Sequence, residues 1–152
     1  ISLGLVCSKM GEHSKALDYH TQALEIQQRT LPNNHPDLAT SYNNIGLVCS
    51  DMGQFSEALN YFEKALHIDT QYLPSNHPSF ASSYNNIGSV HCKMGDYQKA
   101  LSHHNQALGI QRKTLPSDHP AVATSLSNIG LVYYHTAEYT RALSYYNEAL
   151  VM

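Results

Sequence analysis

Leu3-Gly4-Leu5-Val6, Ile45-Gly46-Leu47-Val48, Ile87-Gly88-Ser89-Val90 and Ile129-Gly130-Leu131-Val132 are four versions of one block, each 42 residues after the last. A fixed period of this size marks a stacked array in which every copy buries its apolar face against its neighbours, so function is expected on a surface the copies share. Residues 31–72 and 73–114 align without a gap. Their agreement concentrates in Leu-Pro-x-Asn-His-Pro, Ser-Tyr-Asn-Asn-Ile-Gly, Met-Gly and the later Ala-Leu pairs. The chain therefore reads as a single array, with a partial repeat 1 over 1–30, repeat 2 over 31–72, repeat 3 over 73–114 and a truncated repeat 4 over 115–152. Ile1-Ser2-Leu3 opens, and Ala149-Leu150-Val151-Met152 closes, inside helical pattern without capping signals, as a piece of a longer array would.

Within repeat 2, Pro36 presets the backbone angle of a helix start, and Leu38, Tyr42, Ile45 and Cys49 follow at helical spacing. Met52-Gly53 interrupts this first helix, A. Phe55, Ala58, Leu59, Phe62, Ala65 and Leu66 then form the apolar stripe of a second helix, B. A glycine inside a helix costs about 0.5–1 kcal/mol against alanine, so Gly4, Gly46, Gly88 and Gly130 need a packing reason. Close approach of Gly46 to Ala58 and Ala65 on helix B is the expected one. The predicted fold is all-α: an α-solenoid of antiparallel helix pairs stacked into a right-handed superhelix.

Tyr42, Ile45-Gly46, Cys49, Gly53, Phe55, Ala58, Phe62 and Ala65-Leu66 resemble the tetratricopeptide repeat signature, matched by Tyr84, Ile87-Gly88, His91, Gly95, Tyr97, Ala100, His104 and Ala107-Leu108. The 42-residue spacing with Leu-Pro-x-x-His-Pro linkers is similar to the kinesin light chain subclass, whose helices are longer. The fourth repeat departs from the pattern, with Leu126 for the tyrosine, Ser127 for an asparagine and Thr136-Ala137 for Met-Gly.

The resemblance implies that the A helices line a concave groove where a partner lies. Their inward stripes read Thr40, Asn43, Asn44, Leu47, Ser50, Asp51, then Ser82, Asn85, Asn86, Ser89, Cys92, Lys93, then Thr124, Ser127, Asn128, Leu131, Tyr134, His135. An asparagine offers donors and an acceptor, so it pairs with a peptide main chain whatever that peptide's side chains. Asn44, Asn86 and Asn128 recur once per repeat and resemble the groove asparagines of kinesin light chains. A role in fixing one A helix to the next is the competing reading. Asn43 and Asn85 are weaker candidates, since the fourth repeat has Ser127 there. Leu47, Ser89, Lys93, Leu131 and Tyr134 complete the expected peptide-binding groove.

Only Lys93 and Lys9 are basic on the inner stripe, which disfavours acidic tails and points to polar or weakly apolar protein or peptide partners. A net charge of -3 without a basic cluster disfavours nucleic acid, and no apolar run approaches the roughly 20 residues that span a bilayer. Cys7, Cys49 and Cys92 read as reduced packing thiols of a cytoplasmic protein. His35, His77 and His119 are too far apart for one metal ion, at about 10 Å between stacked helices, and are expected to bond backbone at helix starts. No metal, cofactor or catalytic constellation is expected, so the chain reads as an adaptor and not an enzyme. The alternatives are a structural spacer, self-association through exposed repeat ends, or a non-catalytic appendage of a larger enzyme or signalling protein.

Overall fold

The computed structural model describes residues 3–151. The expected helical placement of Ile1, Ser2 and Met152 lies outside the described residues. The chain divides into two compact units, Ile1–Leu73 and Pro74–Met152. The first holds α1 (Leu3–Lys9), α2 (His13–Thr30), α3 (Pro36–Asp51) and α4 (Phe55–Tyr72). The second holds α5 (Pro78–Met94), α6 (Tyr97–Thr114), α7 (Pro120–His135) and α8 (Tyr139–Leu150). No strand occurs among the described residues. In each unit successive helices pack as antiparallel pairs, the odd-numbered being A helices and the even-numbered B helices, and in the second unit α5 also touches α7.

The periodic histidines start the A helices. His35, His77 and His119 occupy the N-cap with proline next in line, and each Nδ1 accepts the backbone N–H two residues on, from Asp37 at 3.2 Å, Ser79 at 3.2 Å and Ala121 at 3.1 Å. An imidazole lone pair does here what a serine oxygen does at most helix starts. The A-to-B turns run through left-handed backbone at Gly11, Gly53 and Gly95, with φ of 75°, 76° and 83°. In the divergent fourth repeat Ala137 adopts the same conformation at φ 60°, so the turn survives loss of its glycine.

The helix-interior glycines have a different partner from the alanines expected of them. A Cβ on Gly46 would lie 2.7 Å from the Phe62 ring, on Gly88 2.8 Å from His104, on Gly4 2.6 Å from His20 and on Gly130 3.0 Å from Tyr146. Each A helix thus opens a slot into which its B helix lays one ring, sixteen residues later in the chain. Ala58 and Ala65 are fully buried, but the close approach belongs to the ring between them. Around these slots lie the buried side chains Leu38, Ile45 and Val48 in the first unit and Leu108, Val122, Leu126 and Ile129 in the second.

Candidate peptide-binding surface

Two asparagines stand side by side on each of α3 and α5, and the structure gives them different work. In the second unit, Asn85 Oδ1 lies 2.9 Å from His104 Nδ1, and Asn85 Nδ2 donates to Ser125 Oγ at 2.6 Å. Ser125 Oγ in turn donates to Gln111 Oε1 at 2.6 Å. With the Asn85 amide nitrogen turned to Ser125, its oxygen must accept from the imidazole, so His104 carries its proton on Nδ1. The chain of bonds leaves α6 at His104, crosses α5 and α7, and returns to α6 at Gln111. Ser125 is fully buried, His104 1% exposed and Gln111 4% exposed, so every partner is needed.

The first unit keeps one link, with Ser41 Oγ donating to Gln27 Oε1 at 2.5 Å. Its Asn43 Oδ1 is buried without a hydrogen-bond partner. Phe62 stands at the repeat position of His104 and has no proton to offer. Asn43 and Asn85 therefore sit in the packing between helices.

Asn44, Asn86 and Asn128 are half-buried on α3, α5 and α7, and none makes a side-chain hydrogen bond to the chain among the described residues. Beside them Leu47, Leu131 and Tyr134 are 43%, 42% and 55% exposed, Ser89 is half-buried and Lys93 is exposed. Ser50, placed on the inward stripe by its spacing, is instead buried. Asn86 and Asn85 share a depression of about 220 Å³ with Ser82, Gln111, Ala121 and Thr124. Tyr134 meets Tyr139 edge to face at 5.7 Å and His135 at 5.9 Å, and Tyr97 stacks on His135 at 5.8 Å. The first unit stacks Tyr42 on Tyr61 with the Lys64 ammonium over both rings.

Burial, reinforced by the neighbouring His103, holds the His104 imidazole down at about 4. Burial also lowers His20 and pushes the Cys49 and Cys92 thiols up, away from the thiolate form a nucleophile needs. The three cysteines are unbridged, and no group of three or more metal-ligating side chains is assembled among the described residues. No helix there is long and apolar enough to cross a membrane.

Sequence reasoning missed the bonded chain through His104, Ser125 and Gln111. Its signal was present: Ser41, Ser83 and Ser125 recur with the period, and Gln27 and Gln111 each precede a serine by fourteen residues.

A tetratricopeptide repeat family profile matches residues 1–71 and 79–152. No curated protein matches the chain. Among solved structures, the nearly identical TPR-like repeats of a Podospora anserina protein described as a candidate kinesin light chain align with a TM-score of 0.80 and 26% identity, over 98% of this chain and 70% of that one. BtubC (BKLC) from P. vanneervenii aligns with a TM-score of 0.85 and 22% identity, over 97% of this chain and 59% of that one, a likeness of fold.

Proposed function

This chain belongs to the tetratricopeptide repeat family, whose repeats are generally protein-interaction scaffolds and typically non-catalytic, and on that premise we propose that it is a cytoplasmic adaptor that binds an extended peptide segment along its A helices. The observation that carries the reading is the contrast between neighbouring amides on one helix. Asn85 gives its oxygen and its nitrogen to His104 and Ser125, whereas Asn86 gives nothing to the chain and borders an open depression. Asn128 on α7 and Asn44 on α3 present the same uncommitted group. A primary amide pairs with one main-chain N–H and one C=O, which suits a ligand held by its backbone and tolerant of varied side chains. Leu47, Leu131 and Tyr134 add apolar contacts, and Ser89 and Lys93 polar ones, for a polar or weakly apolar segment.

The test selects binders from a library of extended peptides and compares the parent with Asn44→Ala/Asn86→Ala/Asn128→Ala. Loss of binding at an unchanged unfolding midpoint supports the reading. Undiminished binding, or unfolding of the variant, overturns it.

Self-association is a second reading, favoured by the face of α8. Leu143, Tyr146 and Leu150 are 60%, 37% and 83% exposed, while their counterparts on α6 include His104 at 1% and Leu108 at 5%, covered by α7. Sedimentation across a concentration series decides it, and a single monomeric species throughout rejects it.

A further inference from the structure

The first unit carries an open feature on the far side of α3 from Asn44. Tyr42 precedes Asn44 by two residues and so points about 200° away from it around the helix, at about 100° per residue. Over Tyr42 lies a cleft of about 380 Å³, within the range of about 300–1,000 Å³ typical of small-ligand sites. Glu63, Lys64, His67 and Ile68 line it from one stripe of α4, and Asn33 lines it from the loop between α2 and α3. Ile68, 5% exposed, and the Tyr42 ring are its apolar part. The Lys64 ammonium lies 5.8 Å from the centre of the Tyr42 ring and 5.3 Å from that of Tyr61, so two aromatic faces hold the cation in place. Neither Lys64 nor Glu63 forms an ion pair among the described residues. The Tyr42 hydroxyl accepts from Gln28 Nε2 at 3.1 Å, which leaves its own proton to donate. Repeat 3 keeps the aromatic residue as Tyr84 but has Asn105, Gln106 and Gly109 in place of Glu63, Lys64 and His67, so both charges belong to repeat 2.

We propose that this cleft binds a zwitterion, a small molecule with a carboxylate and an ammonium group, supplied either as a free α-amino acid or as the two ends of a short peptide. The carboxylate pairs with the Lys64 ammonium and accepts from the Tyr42 hydroxyl, the ammonium pairs with Glu63, and an aliphatic side chain lies on Ile68. A ligand with only the negative charge meets Glu63 as a like charge, and one with only the positive charge meets Lys64, so the cleft selects by repulsion as well as by attraction. Its walls share no residue with the row of Asn44, Asn86 and Asn128, so the site stands whether or not those amides hold a peptide.

The experiment titrates the full ¹³C-labelled chain with L-leucine and follows the Tyr42 ring and the Lys64 side-chain signals by NMR, with the Tyr84 ring as an internal comparison. The expected result is saturable movement at Tyr42 and Lys64 but not at Tyr84, with a dissociation constant on the order of millimolar. N-acetylleucine, which lacks the ammonium, and leucinamide, which lacks the carboxylate, should each bind at least about threefold more weakly. Glycylleucine separates the two sources: tighter binding than leucine assigns the site to peptide ends, and weaker binding assigns it to the free amino acid. Glu63→Asn/Lys64→Gln introduces the residues that repeat 3 carries at these positions, so the variant should keep its helical circular dichroism and lose saturable binding. Glu63→Gln alone should remove the preference for leucine over N-acetylleucine. No saturable movement at Tyr42, equal binding of leucine, N-acetylleucine and leucinamide, undiminished binding by the double variant, or a preference that survives Glu63→Gln overturns the proposal.

Discussion

Acid should unfold this protein through one ring. His104 fills the slot over Gly88, donates to Asn85, and is held at about 4 by burial and by His103, against an ordinary 6.5. Between those values the imidazole is neutral in the fold and charged in the unfolded chain, so the unfolded chain binds more protons and stability rises with pH. The contribution is complete above the ordinary value and is lost as pH falls toward 4. The full difference amounts to about 3 kcal/mol, of which about 2 kcal/mol disappears between about pH 7.5 and pH 5. Urea unfolding at a series of pH values measures this, with His104→Phe as the comparison, because phenylalanine already fills the equivalent slot as Phe62. Any constant cost of removing the Asn85 partner shifts that variant's curve without tilting it. His20, which burial also lowers, acts in both proteins and cancels in the difference. The variant's curve should be flatter by about 2 kcal/mol over the same interval. If it falls as steeply as the parent's, the acid sensitivity lies elsewhere and the electrostatic account of His104 is wrong.

Other substitutions separate the causes described above. Gly88→Ala should cost about 1–3 kcal/mol by pressing a methyl into the His104 ring, whereas Gly109→Ala, facing open space in α6, should gain about 0.5–1 kcal/mol; thermal unfolding that ranks them alike would remove the slot as an explanation. Ala137→Gly should raise the midpoint by the equivalent of up to about 1 kcal/mol by relieving left-handed strain, and a fall would show that the turn tolerates alanine without penalty. His77→Ala should cost about 1 kcal/mol through the lost cap at Ser79, with His77→Asp restoring most of it; equal stability of the two variants would mean that the cap contributes nothing.

The period made the helix pairs legible. Pro36 and Met52-Gly53 bracket α3 because a fixed φ and a left-handed turn are local requirements that particular residues satisfy. Ala137 shows where such punctuation stops being decisive, since the turn keeps its left-handed conformation when its glycine is gone. Gly46 was readable as a close contact, but its partner was not: Phe62 and the alanines flanking it share one face of helix B, and only three-dimensional packing chooses among them. The amide ladder was visible as a repetition, while the division of labour between Asn85 and Asn86 was not. It depends on whether a proton donor stands on the facing helix, and that residue changes from Phe62 to His104 with no alteration in the asparagines themselves.

The glycine slot also gives these repeats a direction of change. A copy that has its glycine can exchange one ring for another, and here His20, Phe62, His104 and Tyr146 occupy equivalent places. A copy that trades glycine for anything larger presses a side chain into the ring, at the cost expected of Gly88→Ala. Glycine is thus the condition under which the ring sits without strain. Each repeat therefore carries a replaceable ring in a socket that its glycine keeps open.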